Sequence, residues 1–141
     1  MDELVDAAVK AREQAYAPYS NFKVGAAVRG QSGRIYTGCN IENSSYSLTN
    51  CAERTAIFKA ISEGETKLVA LAAVADTAEP VSPCGACRQV MAEFNIDHIV
   101  LANIKGRQLT VSIAELLPFS FTQGHFYKSK KDGDNREYRK L

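Results

Sequence analysis

Residues 81–89 read VSPCGACRQ. Two cysteines three positions apart behind a proline admit three readings: a redox pair, half of a structural zinc knot, or half of a catalytic metal site. What flanks them decides the fold. Upstream, LVALAAVA (68–75) is apolar throughout, the pattern of a strand covered on both faces. Downstream, HIVLANI (98–104) is strand-like again, and CGACRQVMAEF (84–94) between them reads as a short helix.

Further out the alternation continues. CAERTAIFKAISEG (51–64) places Ala56, Ile57, Ala60 and Ile61 on one stripe and closes on Gly64, so it reads as a helix with its stop signal. Asn50, ending the polar loop ENSSYSLTN (42–50), is the expected cap of that helix. KVGAAVR and RIYTGCNI, joined by GQSG, read as a hairpin. Leu4, Val5, Ala8 and Ala11 predict an amphipathic helix over 2–16, followed by the loop YAPYSNF (16–22). RQLTVSI (107–113) is a further strand around the Lys105-Gly106 turn, and Ser112 with Glu115 resembles a capping box for a brief helix before Pro118. Strands alternating with helices require an α/β sheet with helices against its faces.

At 141 residues the chain is one domain's worth, with 45% hydrophobic residues for its core. Seventeen basic against sixteen acidic residues leave a net charge of +1, which offers no field for nucleic acid or a membrane surface. A small, nearly neutral ligand is therefore expected. Residues 1–15 form a charged amphipathic pattern rather than a leader, and no run of eighteen apolar residues occurs. A cytoplasmic location is expected, where four cysteines favour metal binding or catalysis over disulfides. Residues 128–141 hold six basic and three acidic side chains and read as a solvated tail.

The cysteines then combine. Cys51 and Cys84 each stand where a polar loop meets the first turn of a helix, where unpaired N–H groups favour thiolate. Cys84 and Cys87, three apart, point the same way. Bringing the two helix starts together supplies three thiolates, a set that suits tetrahedral zinc with one position open. Glu53, in the first turn after Cys51, reaches toward that open position. Arg54, three residues past Cys51, lies on the same side and can donate to the electron-rich sulfurs. Arg88 has no such alignment and reads as solvated. Cys39, on a strand, reads as a small buried hydrophobe.

CAER (51–54), PCGACRQ (83–89) and GCNIEN (38–43), with AYAPYSNFKVGAA and ELLP, resemble the short-chain, homotetrameric cytidine deaminases of pyrimidine salvage. The likeness runs from about residue 3 to 121, and C-x-E followed by P-C-x-x-C marks the wider zinc deaminase superfamily. It implies one three-layer α/β/α domain with a five-stranded mixed sheet over residues 1–127, followed by the polar tail 128–141. It implies one Zn²⁺ per chain on Cys51, Cys84 and Cys87, with Arg54 beside the thiolates. Glu53 then carries a proton from the attacking water to N3 of cytosine, turning cytidine or deoxycytidine into the uracil nucleoside and ammonia.

The remaining pocket roles come from the same resemblance. Asn40 and Glu42 fall on the pair that holds the ribose 3'-hydroxyl, and their i, i+2 spacing at a strand end puts both on one side. Phe22 matches the aromatic at the base. Ala52 offers its backbone N–H to the pyrimidine 2-oxygen, and Ser82 its backbone carbonyl to the 4-amino group. Tyr46 and Phe121 match residues that neighbouring subunits lend to the pocket. Residues 122–141 match no family pattern, and the long-chain dimeric branch carries His where this chain has Cys51.

Four other readings compete. A deaminase of a cytosine-bearing antibiotic of the blasticidin kind is the nearest, and Asn40 and Glu42 argue instead for a ribose. A polynucleotide-editing enzyme would want more positive charge. A structural zinc module needs a fourth protein ligand, and a thiol redox protein has no use for Glu53.

Overall fold

The computed structural model describes residues 2–126, so the 128–141 tail expected from the sequence lies outside the described residues. Its elements are α1 (Asp2–Arg12), β1 (Val24–Gly30), β2 (Ile35–Cys39), α2 (Ala52–Ser62), β3 (Leu68–Ala75), α3 (Gly85–Glu93), β4 (His98–Asn103), β5 (Gln108–Val111) and α4 (Ile113–Leu116). The five strands form one sheet in the order β2-β1-β3-β4-β5. β3 and β4 run parallel, which requires the crossover through α3, and the other pairings are antiparallel.

Strand alternation divides the core into two layers. Leu71 and Ala73 of β3 face one way, with Ala26, Val28, Ile99 and Leu101, against Ala56 and Ile57 of α2 and Met91 of α3. Ala70, Ala72 and Val74 face the other way against Leu4, Val5 and Ala8 of α1. Both faces of β3 are covered, which is why its sequence is apolar without alternation. This is the three-layer α/β/α domain with a five-stranded mixed sheet.

Several boundaries differ from the sequence reading. α1 ends at Arg12 rather than 16 because Tyr16 is drawn into a bridge with Ile41, its N–H donating to the Asn40 carbonyl at 3.0 Å. α2 is capped by Cys51, not Asn50, whose Nδ2 donates instead to Thr55 Oγ1 at 3.0 Å. Gly64 does end that helix, at φ +99°. The Ser112–Glu115 capping box forms, and β5 stops at Val111 to make room for it.

Gly38 fixes how closely α2 lies on β2. A Cβ at that position would fall inside contact distance of the Ala56 nitrogen and 2.7 Å from the Ala52 carbonyl oxygen. The first turn of α2, where Glu53 sits, is thereby held against the sheet.

Candidate active site

α2 and α3 begin alike, each on a cysteine in extended backbone. Cys51 has φ −74° and ψ 155°, Cys84 has φ −69° and ψ 167°, and neither side chain caps the backbone N–H groups of its own helix. Both sulfurs therefore stand at the positive end of a helix without being spent on a cap. The Sγ atoms of Cys51, Cys84 and Cys87 lie within 4.8 Å of one another, and the Cys51–Cys84 separation is 3.7 Å. Tetrahedral zinc with Zn–S bonds of ~2.3 Å would place its sulfurs ~3.8 Å apart. This three-cysteine cluster has the donor set and spacing of a zinc site. Cys39 stands apart from it on β2.

The thiols differ electrostatically. Cys51 is pushed down to about 5, first by a hydrogen bond with Cys87 and then by the Arg54 guanidinium, against the opposing effect of burial. Cys87 is pushed up, by the same bond to Cys51 and by burial. A metal takes the three sulfurs as thiolates and must expel any proton still held on them, so binding weakens as pH falls.

Arg54 Nη2 donates to Cys51 Sγ at 3.4 Å, while its buried Nε has no protein partner. Glu53, 5% exposed, has its carboxyl pushed up, first by burial and then by the charge on Cys51, with its own backbone N–H, Arg54 and Cys87 pulling the other way. A cation among the sulfurs would pull it down again. Such opposing influences suit a group that must both take and release a proton.

A cavity of about 290 Å³ opens beside the cluster and is lined by Phe22, Asn40, Glu42, Ala52, Glu53 and Ser82 together with Cys51 and Cys84. These expected residues come together. Glu42 accepts from the Tyr19 N–H at 2.9 Å, the Ser20 N–H at 3.2 Å and the Ser20 hydroxyl. These bonds, the hydroxyl's first, hold the Glu42 carboxyl below the usual carboxylate range. Asn40 spans two strands' ends: its Oδ1 accepts from Val24 N at 2.8 Å and its Nδ2 donates to the Phe22 carbonyl at 2.7 Å. It therefore also fixes the backbone that presents Phe22.

The chain's own Tyr46 and Phe121 stay outside the cavity. Tyr46, 74% exposed, meets Tyr19 edge-on at 5.9 Å beside a neighbouring depression that shares Ser20, Glu42 and Thr49. Phe121, 57% exposed, stacks on His125, and its carbonyl accepts from Gln89 Nε2 at 2.7 Å.

Two residues escaped the sequence reading. Ser20 orders the loop by bonding both Glu42 and the Phe22 N–H. Arg88 is not a solvated arginine: Nε donates to the Pro83 carbonyl at 2.9 Å and Nη1 to the Leu116 carbonyl at 2.7 Å. The only local hint was Ser-x-Phe as a turn. Nothing in the sequence announces an arginine whose partners are backbone oxygens.

The family model described as the cytidine and deoxycytidylate deaminase zinc-binding region matches residues 1–103. A cytidine deaminase of Sporosarcina psychrophila is 57% identical over 125 residues, 87% of this chain and 92% of that one. The crystal structure of a cytidine deaminase from Burkholderia pseudomallei superposes with a TM-score of 0.82 at 50% identity, covering 85% of this chain and 98% of that one. A blasticidin-S deaminase of Bacillus cereus is 32% identical, over 86% of this chain and 91% of that one.

Proposed function

The chain belongs to the cytidine and deoxycytidylate deaminase zinc-binding family, and from that premise we propose that it deaminates cytidine and 2'-deoxycytidine hydrolytically, with one zinc per chain. The observation that carries this reading is one cavity lined by Cys51 and Cys84 of the three-cysteine cluster, by Glu53, and by Asn40 and Glu42. Cys51, Cys84 and Cys87 hold the zinc, which when bound supplies the Lewis acidity that makes water nucleophilic near neutral pH.

This chain's own groups do the rest. Glu53 accepts a proton as water adds at C4 of the cytosine, returns it to N3, and assists ammonia in leaving. Water is consumed, the C4–N bond breaks, and the uracil nucleoside remains. Ala52 is the first residue of α2, so its N–H has no intrahelical partner and is available to the 2-oxygen of the base. The Ser82 carbonyl takes the 4-amino group, Phe22 packs on the base, and Asn40 and Glu42 hold the 3'-hydroxyl. Arg54 withdraws charge from sulfur.

No lysine, arginine or histidine is among the residues lining the cavity, while Glu42 and Glu53 are. A phosphate would meet carboxylate with nothing to neutralise it, so the substrate is a nucleoside rather than a nucleotide. A thiolate site of this kind suits a reducing compartment, the cytoplasm. Tyr46 and Phe121, exposed in one chain, complete neighbouring pockets in a homotetramer, and sedimentation should give the mass of four chains.

The Bacillus cereus relative supports a second reading, deamination of a cytosine-bearing antibiotic. Assays with cytidine, deoxycytidine, CMP, free cytosine and blasticidin S separate the two. Turnover is expected on the first two alone; preference for blasticidin S would install the second reading. Glu42→Gln should lower kcat/KM for cytidine on the order of tenfold by removing a charged acceptor, with zinc content unchanged. Parent-like kcat/KM in that variant would place residue 42 outside the ribose contact.

A further inference from the structure

The loop 76–84 between β3 and α3 ends in Ser82, Pro83 and Cys84, so its path sets both a wall of the cavity and one sulfur of the cluster. It is gripped at both ends by side chains that do not line the cavity. At the first end stands Asn103, the last residue of β4 and 2% exposed. Its Nδ2 donates to the carbonyls of Thr77 at 2.9 Å and Ala78 at 3.0 Å. Its Oδ1 accepts from Lys105 N at 3.0 Å and Arg107 N at 2.9 Å. All four hydrogen-bonding capacities of the amide are used, and every partner is backbone.

At the second end Arg88 ties the Pro83 carbonyl to the Leu116 carbonyl of α4. Between the two grips, Pro80 and Pro83 each lock one backbone angle. Each grip acts on its near side: a displacement at Thr77 and Ala78 reaches Val81 and Ser82, and one at Pro83 reaches Cys84. The exposed Arg107–Glu79 ion pair adds little by comparison.

We propose that Asn103 and Arg88 are positioning residues that brace this loop from its two ends. Asn103 sets the stretch carrying Val81 and Ser82, and Arg88 sets the turn from Pro83 into Cys84. The substrate half of this inference rests on the deaminase reading; the metal half rests on the cysteine cluster alone.

The two grips are separable on the zinc-loaded full chain. Asn103→Asp keeps the acceptor toward Lys105 and Arg107 but turns an oxygen on the Thr77 and Ala78 carbonyls, so it frees the loop and spares the turn. It should raise KM for cytidine about tenfold with a smaller fall in kcat, speed hydrogen exchange at Val81 and Ser82, and leave zinc loss to a chelator at the parent rate. Asn103→Ser, uncharged and too short to reach, carries the same comparison if the aspartate variant does not fold. Arg88→Met, matching the stem without the donors, should speed zinc loss about tenfold, and Arg88→Lys should recover part of it. The brace is overturned if folded Asn103 variants keep the parent's KM and loop exchange, or if Arg88→Met releases zinc at the parent rate. A uniform drop in melting temperature with those readouts unmoved overturns it equally. An inactive parent would defeat the deaminase reading instead, leaving the brace to be judged on exchange and zinc loss, which need no substrate.

Discussion

Glu53→Ala should lower kcat for cytidine by at least ~10³ while the protein folds and keeps one zinc per chain. Each positioned acid or base is worth ~10²–10⁴-fold, and here one carboxyl serves both the abstraction from water and the delivery to N3. Folding should not suffer. Glu53 sits 5% exposed in the first turn of α2, where burial already disfavours its charged form. Removing it relieves that penalty, and alanine is the strongest helix former. Zinc should stay because the three sulfurs are untouched. A ground-state nucleoside should still bind, since Phe22, Asn40 and Glu42 line the cavity independently of residue 53. Zinc content and kcat measured on one preparation decide the matter. Near-normal deamination at full zinc would mean that another group carries the proton.

Cys87→Ala and Cys39→Ala should differ completely. Without Cys87, only two sulfurs remain at the helix starts, too few for a catalytic zinc site, which takes three protein ligands. Metal should fall from one per chain toward none and deamination to background, even in folded protein. Cys39→Ala should retain full zinc, because Cys39 lies on β2 outside the cluster. The substitution there exchanges one small apolar side chain for another. Metal analysis of the two purified variants is sufficient. Full zinc in folded Cys87→Ala, or zinc loss in folded Cys39→Ala, would break the ligand assignment.

Much of this molecule was legible in one dimension because the relevant physics is local. Apolar stripes, the all-apolar β3 and the Ser112–Glu115 box are set by neighbours a few residues away, and the five strands and the helices fell where those patterns put them. Cysteine spacing carried the cluster for the same reason: a helix start brings i and i+3 together whatever the rest of the chain does. Where sequence reasoning slipped, a distant partner had intervened. Tyr16 left its helix for Ile41, and Asn50 surrendered the cap of α2 to Cys51 while its own side chain bonded Thr55.

The sequence by itself determined the chemistry on offer: three thiols and a carboxylate at two helix starts, and a net charge of only +1, too small to attract a polyanion. Only the tertiary structure decided how these are held. Asn40, Asn103 and Arg88 look like ordinary polar residues in the sequence, because what they grip are backbone carbonyl and amide groups. Every residue carries those groups alike, so no pattern of side chains can mark them. Their positions exist only once the sheet order β2-β1-β3-β4-β5 has brought the loops to one end.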